Sequence, residues 1–389
     1  MTVYVFFFLL LLLTSLSSAF SRYGRWRKIV LVALGIFLCT GYMTGSDWRA
    51  YETMFQFAND AFFWEGYNKE WGFVLLLKFF KFLQFDFWWF WILMKVFCFW
   101  VVVKTLRQYT LPGSMFYWAL FYFYAYFAIF YFIDNPMRNL FCAALFILLA
   151  YPAIRQNQWK RYWGVVALCS LFHMAVLLVS PFYYVLRRKK FVSAWLSMGG
   201  VTVFLFFSLA FGRSSLVSLI ETFVTFVLGE GFRGSGYMDK EGALSMGMLA
   251  IVLLYFFITF MRRRIDYYYK DAVFVVNGAF LYVVTYLLGT CISILSRMSM
   301  FLFPLFIVAV FYAVSVAKPT IRLVVKTGLL VMLFTVMLNT IRRDSRYIPY
   351  SSYLEYVGRE KPSFSERRSY NYNHSPYRKD DDEDSFWIR

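Results

Sequence analysis

FWWFWILMKVFCFWVVV, residues 87–103, is the stretch that decides the fold. It carries one charge, Lys95, and is followed at once by Lys104 and Arg107. A helix of roughly 17–25 apolar residues crosses a hydrocarbon core of about 30 Å, so this run reads as a span ending in a basic loop. Runs of the same kind recur on both sides of it. The whole chain is 61% hydrophobic and 23% aromatic, with mean hydropathy +0.56. A soluble domain cannot cover that much apolar surface, and the strand alternation of a membrane barrel is absent. The predicted fold is all-α, a polytopic transmembrane helical bundle without a separate soluble domain.

The formal net charge of +18 sits mainly in short loops: Arg22, Arg25, Arg27 and Lys28; Arg155, Lys160 and Arg161; Arg187, Arg188, Lys189 and Lys190; Arg262, Arg263 and Arg264; Lys318, Arg322 and Lys326. That is the distribution of cytoplasmic loops, and it accounts for the basicity without a nucleic-acid partner. The five cysteines, Cys39, Cys98, Cys142, Cys169 and Cys291, fall inside apolar runs with neither metal-ligand nor disulfide spacing. With only His173 and His374 available, no metal site or other cofactor is expected.

Orienting the runs by Lys and Arg gives a topology of about eleven membrane segments. Residues 2–20 cross inward, lacking the basic start of a secretion signal, and residues 29–43 return. An outer loop occupies 44–86; within it, residues 71–85, with Lys78 and Lys81 on one face, suit a helix lying in the interface. Residues 115–132 go out and 139–154 go in. Residues 163–186 have basic flanks at both ends, so they are either a re-entrant hairpin bent near His173 or a span that breaks the charge rule. Residues 191–211 lead to a second outer loop, 212–245, and four further runs end near 339. The predicted membrane domain is 1–341, and 342–389 reads as a polar, largely disordered tail ending in acidic residues.

Polar residues in so apolar a chain are functional candidates because ionisable groups at membrane depth are costly. This topology puts six groups of them on the outer face: Gly45-Ser46-Asp47 with Trp48 and Tyr51, Glu70-Trp71-Gly72, Asn135-Pro136-Met137-Arg138, His173, Arg297, and Ile348-Pro349-Tyr350. Arg138 and Arg297 have the fixed charge and bidentate donors that bind phosphate oxygens; each taken alone is also an ordinary interfacial arginine. An imidazole such as His173 donates to a phosphate or accepts a hydroxyl proton near neutral pH, and is otherwise a packed core histidine. Asp47, Tyr51 and Phe55 share one helix face; Asp47 either caps that helix or serves as a carboxylate toward a sugar hydroxyl, with Glu70 as a second candidate. Trp48, Trp71 and Tyr51 offer flat faces for sugar rings. Lys95 reads as a lysine facing the bundle interior or as a partner for an anionic substrate.

The order and spacing of these pieces resemble the EpsG family, the Wzy-like polymerases of bacterial exopolysaccharide and O-antigen. The resemblance runs through Gly45-Ser46-Asp47 and Tyr51, Glu70-Trp71-Gly72, Arg138, Phe172-His173, Ser296-Arg297 and Ile348-Pro349-Tyr350, and stops near Val357. It departs at Asn135-Pro136-Met137 before Arg138 and in having no Gln after it. It implies a GT-C-like, metal-independent glycosyltransferase in the bacterial inner membrane, polymerising undecaprenyl-pyrophosphate-linked repeat units at the periplasmic face. By position, Arg138 and Arg297 hold the pyrophosphate, His173 assists there or positions the acceptor, and Asp47 or Glu70 is the acceptor-side carboxylate. Glu70, Tyr51, Trp48, Trp71, Arg233 and Tyr350 are the implied substrate-binding residues. A flippase and a chain-length regulator are the implied protein partners. The rival functions are a lipid-linked oligosaccharide flippase, disfavoured by the absence of an internal repeat, and a lipid-linked glycan ligase.

Overall fold

Apolar runs become helices where the sequence puts them, and glycine or polar interruptions end them. The computed structural model describes residues 1–16, 24–45, 47–60, 70–111, 113–134, 136–210, 218, 246–343 and 347–374. The described residues form helices, short 3₁₀ turns and connecting loops, with an isolated bridge between Gly41 and Ser352. The chain divides into two compact units: residues 1–144, 171–174 and 327–389, and residues 145–170 with 175–326.

The first unit contains α1 (Thr2–Leu16), α2 (Gly24–Cys39), α3 (Trp48–Gln56), α4 (Trp71–Phe82), α5 (Phe87–Tyr109), α6 (Ser114–Tyr122) and the start of α7 (Met137–Arg155). After Tyr122 the chain continues as a π-helix over Phe123–Asp134. α1 packs on α6 and α2 on α5. Tyr124 on the π-helix donates its hydroxyl to the Tyr4 carbonyl at 2.8 Å. α3 is amphipathic, burying Trp48, Tyr51, Met54 and Phe55; burial of each such side chain stabilises by roughly 1.5–3 kcal/mol. α4 buries Phe73, Val74 and Leu77 and leaves Trp71, Leu75, Phe79 and Phe82 exposed in a stripe. At 12 residues it is too short to span. Lys95 on α5 is fully buried, its Nζ without a hydrogen-bond partner among the described residues and 5.5 Å from the Trp91 ring centre.

The second unit holds the rest of α7, α8 (Trp159–Ser170), α9 (Phe182–Leu186), α10 (Ala194–Ala210), α11 (Met246–Tyr268), α12 (Ala272–Gly289), α13 (Ser293–Met298), α14 (Phe303–Val316) and the beginning of α15 (Pro319–Arg343). α11, α12 and α14 pack against one another. Buried Asn277 of α12 accepts from the Val192 amide at 2.9 Å and donates to the Lys190 carbonyl at 3.2 Å, fixing the entry to α10. Asp271 and Arg155 form an ion pair.

The segment with basic flanks is a hairpin. α8 stops at Ser170, and a 3₁₀ turn over Met174–Val179 leads to α9. The returning limb lies back along α8: Tyr162 donates to the Val179 carbonyl at 2.9 Å, its ring is 4.9 Å from that of Tyr183, and Tyr183 donates to Asn157 at 3.2 Å. Of the two topologies open for residues 163–186, the structure takes the hairpin.

Among the described residues, five helices are long and apolar enough to cross a membrane: Phe87–Tyr109, Ser114–Asp134, Met137–Arg155, Ala272–Gly289 and Pro319–Arg342. A sixth is counted if Leu295–Phe301 and Phe303–Val316, bent by 61°, make one broken span. The expected count of about eleven took every apolar run as a membrane segment. Thr2–Leu16, Met174–Leu186 and Ala194–Ser208 are helical and apolar but shorter than a full crossing.

Residues 347–374, grouped by composition with the polar tail, are packed into the first unit. Tyr42 N–H donates to the Ser351 carbonyl at 2.9 Å and Tyr353 N–H to the Thr40 carbonyl at 2.7 Å. Lys361 pairs with Asp86, the cap of α5. The Phe364 ring of α16 (Phe364–His374) lies 5.7 Å from that of Trp48, with the Arg49 guanidinium 3.8 Å from its centre. The acidic end, 375–389, and the second outer loop, 212–245 apart from Ser218, fall outside the described residues.

Candidate active site

Two glycines bring three distant segments of the first unit together. Gly45 has φ +77°, in the left-handed region that favours glycine, and a Cβ there would stand 2.2 Å from the Ile133 carbonyl oxygen. The turn before α3 therefore lies directly on the backbone that leads into α7, and Tyr51 meets Arg138. Gly72, in the first turn of α4, donates its N–H to the Leu171 carbonyl at 2.8 Å. A Cβ on it would be 2.8 Å from the Leu171 Cβ and 3.0 Å from its oxygen. The hairpin tip thus docks on the start of α4 and delivers His173 to Glu70.

Glu70 is the hub. One carboxylate oxygen pairs with Arg138 Nη1. The other is 2.8 Å from His173 Nδ1 and accepts the Met174 N–H at 3.2 Å. Arg138 Nε donates to the Tyr51 hydroxyl at 3.2 Å, and its guanidinium sits 5.5 Å from the Tyr51 ring centre and 5.9 Å from that of Phe73. The side chains of Glu70, His173 and Arg138 are 14%, 10% and 23% exposed.

Burial alone would raise the Glu70 carboxyl. The His173 hydrogen bond, the charge of Arg138 and the Met174 amide outweigh it and hold that carboxyl below its ordinary range. Burial pushes the Tyr51 phenol up despite the pull of Arg138, so it meets the guanidinium as a neutral hydroxyl. An ionised carboxylate only accepts, so Nδ1 of His173 carries the proton toward Glu70. Nε2 is then the nitrogen with a lone pair in the neutral ring. It is buried, with no hydrogen-bond partner among the described residues. A carboxylate that fixes an imidazole tautomer and leaves the far nitrogen for a hydroxyl proton is the arrangement of a general base and its orienting acid.

The structure brings Glu70, Arg138, His173 and Tyr51 together. Asp47 stands at the head of α3, one turn before Tyr51, and its side chain makes no capping bond to that helix. Trp48 is 1% exposed, in the core between Trp88 and Phe364; it presents no face for a sugar. Trp71 is exposed beside Glu70. Tyr350 donates its hydroxyl to the Phe37 carbonyl at 2.6 Å and lines a cavity of about 600 Å³ with Tyr356, Arg367 and Tyr370. Arg297 belongs to the second unit, exposed in the last turn of α13. Arg233 lies outside the described residues. Sequence reasoning missed Phe73, which carries the Arg138 guanidinium, and the Met174 amide. Their adjacency to Glu70-Trp71-Gly72 and Phe172-His173 was the available signal.

Compared with known proteins, the chain matches the model described as EpsG family over residues 25–352. No curated protein and no solved structure matches it. The matched region contains the whole Glu70 cluster and Arg297, and ends where the α16 segment begins to fold back.

Proposed function

We propose a function from one premise: the chain belongs to the EpsG family, a family of Wzy-like polysaccharide polymerases. The reading is a membrane glycosyltransferase of GT-C-like architecture. It extends a glycan on undecaprenyl-pyrophosphate-linked repeat units at the periplasmic face of the bacterial inner membrane. The observation that carries it is the Glu70 carboxylate held between His173 Nδ1 and Arg138, with His173 Nε2 buried and without a hydrogen-bond partner among the described residues.

In this reaction a hydroxyl of the acceptor repeat attacks C1 of the sugar on the lipid pyrophosphate. The new O–C1 bond forms as the C1–O(phosphate) bond breaks. The hydroxyl proton passes to His173 Nε2, and the bond's electron pair leaves with the pyrophosphate. Glu70 acts through His173 and Arg138: it sets the imidazole tautomer and aims the guanidinium. This revises the expectation that it serves as an acceptor-side carboxylate, a role that falls to Asp47. Arg138 takes up charge developing on the leaving group, where preorganised cations are most effective; Arg297 is proposed for the same pyrophosphate from its place in the sequence pattern alone. Trp71, Arg233 and Tyr350 are proposed to contact the glycan.

The test is gel analysis of surface polysaccharide from strains carrying His173→Ala or Glu70→Gln, with the protein's membrane abundance matched to wild type. His173→Ala should collapse the ladder to single-repeat material. Glu70→Gln should slow elongation by about 10²–10⁴-fold, the range for a disoriented base. A normal ladder from His173→Ala would overturn the assignment. Repeat units trapped inside the cell would indicate a flippase.

A further inference from the structure

α5 connects two different places in the first unit. Near its start, Trp91 packs on Tyr51, with ring centres 5.3 Å apart. Sixteen residues on, about 24 Å along the helix, Arg107 lines a separate cavity of about 320 Å³. Its walls are Arg27 and Lys28 from the first turn of α2, Arg107 and Thr110 from the end of α5, and Phe116 and Tyr117 from the start of α6. Three cations thus come from two elements, and no carboxylate lies among the described residues that line the space. Residues 1–46 and 87–133, which supply every wall, contain no Asp or Glu at all.

The cations are held ready. The Arg27 guanidinium stands 5.3 Å from the Tyr117 ring centre, and the Tyr117 hydroxyl donates to the Arg27 carbonyl at 3.0 Å. Arg107 lies 5.3 Å from the Phe116 ring centre. Nε and Nη2 of Arg27 are buried and have no acceptor among the described residues. Gly113, at φ +109°, forms the wall beside Nη2, where a Cβ would come within 3.8 Å of that nitrogen. Two guanidinium groups are thus mounted on aromatic faces around a cavity, Arg107 at an exposed position and Arg27 with two buried donor nitrogens.

We propose that this cavity is a phosphate-binding site, taking one phosphomonoester or phosphodiester group between Arg27, Lys28 and Arg107. Planar guanidinium donors match phosphate oxygens two at a time, and the ammonium adds a point charge. Two sources share that chemistry: the headgroup of an anionic phospholipid, drawn to basic residues at a membrane surface, and a free phosphate or pyrophosphate.

The experiment uses the full chain in phosphatidylcholine nanodiscs. Inorganic pyrophosphate is titrated calorimetrically, and phosphatidylglycerol retention is measured in parallel by native mass spectrometry. Wild type should bind at least one probe saturably. The Lys28→Gln and Arg107→Gln variants, both at exposed positions, should weaken that binding by about tenfold. Arg138→Ala should keep this binding component, which separates the site from the Glu70 cluster, and Arg263→Gln, an exposed basic position on α11, should keep it too. Pyrophosphate binding alone assigns a soluble source, lipid retention alone a headgroup, and either supports the site. Binding of both probes within about twofold of wild type in Lys28→Gln and Arg107→Gln, or an equal loss in Arg263→Gln, would overturn it.

Discussion

Glu70 makes a prediction through its own ionisation. Its carboxyl is held below the ordinary range of about 4.3, so its interactions stabilise the folded chain at pH values above that range. They are lost as pH falls through the lowered value, when the carboxyl takes up a proton. Thermal unfolding in detergent should show wild type more stable than Glu70→Gln at neutral pH, with the gap closing below about pH 4. A gap unchanged on acidification would mean that Glu70 is not the charged partner of His173 and Arg138. The three residues were legible in the sequence because ionisable groups stand out in so apolar a chain. Their bonding to one another was not, since Glu70 and His173 are 103 positions apart and no periodicity links them. Lys95 stood out for the same reason, yet its Nζ is buried near Trp91 with no hydrogen-bond partner among the described residues. Charge in a span marks a residue for attention, and geometry decides what it does.

At the scale of elements, helices were readable from apolar runs, but how their ends meet was written in glycines. Gly45 abuts Ile133 and Asp134, just before Arg138; Gly72 abuts Leu171, just before His173; Gly289 abuts Ser296, just before Arg297. Each of these basic residues follows a backbone segment that only a missing side chain lets in. Gly72→Ala should therefore destabilise by about 1–3 kcal/mol and cut polymer formation, since the Leu171 backbone must retreat and carry His173 off Glu70. Gly164→Ala, on α8 with nothing within 4 Å of the added Cβ, should be neutral or stabilising by up to about 1 kcal/mol. Unfolding midpoints and ladders measured together separate the two; equal behaviour would remove the packing argument.

At the scale of the molecule, the hairpin predicts that the basic residues at 155–161 and 187–190 lie on one side of the membrane. Cysteines placed at Gln156 and Lys189, in a background without the five native ones, should react alike with a membrane-impermeant thiol reagent. Labelling of one from outside and the other only after permeabilisation would exclude the hairpin. The sequence posed this choice but could not make it, because the contacts of Tyr162 with Val179 and Tyr183 join residues that look equally apolar in either topology. It also grouped residues 347–374 with the tail, since their anchoring depends on Asp86, Trp48 and Thr40, far away in the chain.

That anchoring bears on the order of synthesis. Glu70, Arg138 and His173 have all been synthesised once residue 173 is made, but the unit that holds them draws its last pieces from residue 327 onward. Tyr42, Trp48 and Trp88 wait through the translation of the entire second unit before Tyr353 and Phe364 arrive to cover them. A nascent chain stalled in that interval carries every residue of the cluster beneath an unroofed aromatic core, which makes the closing stretch the checkpoint between an inserted polypeptide and a finished one.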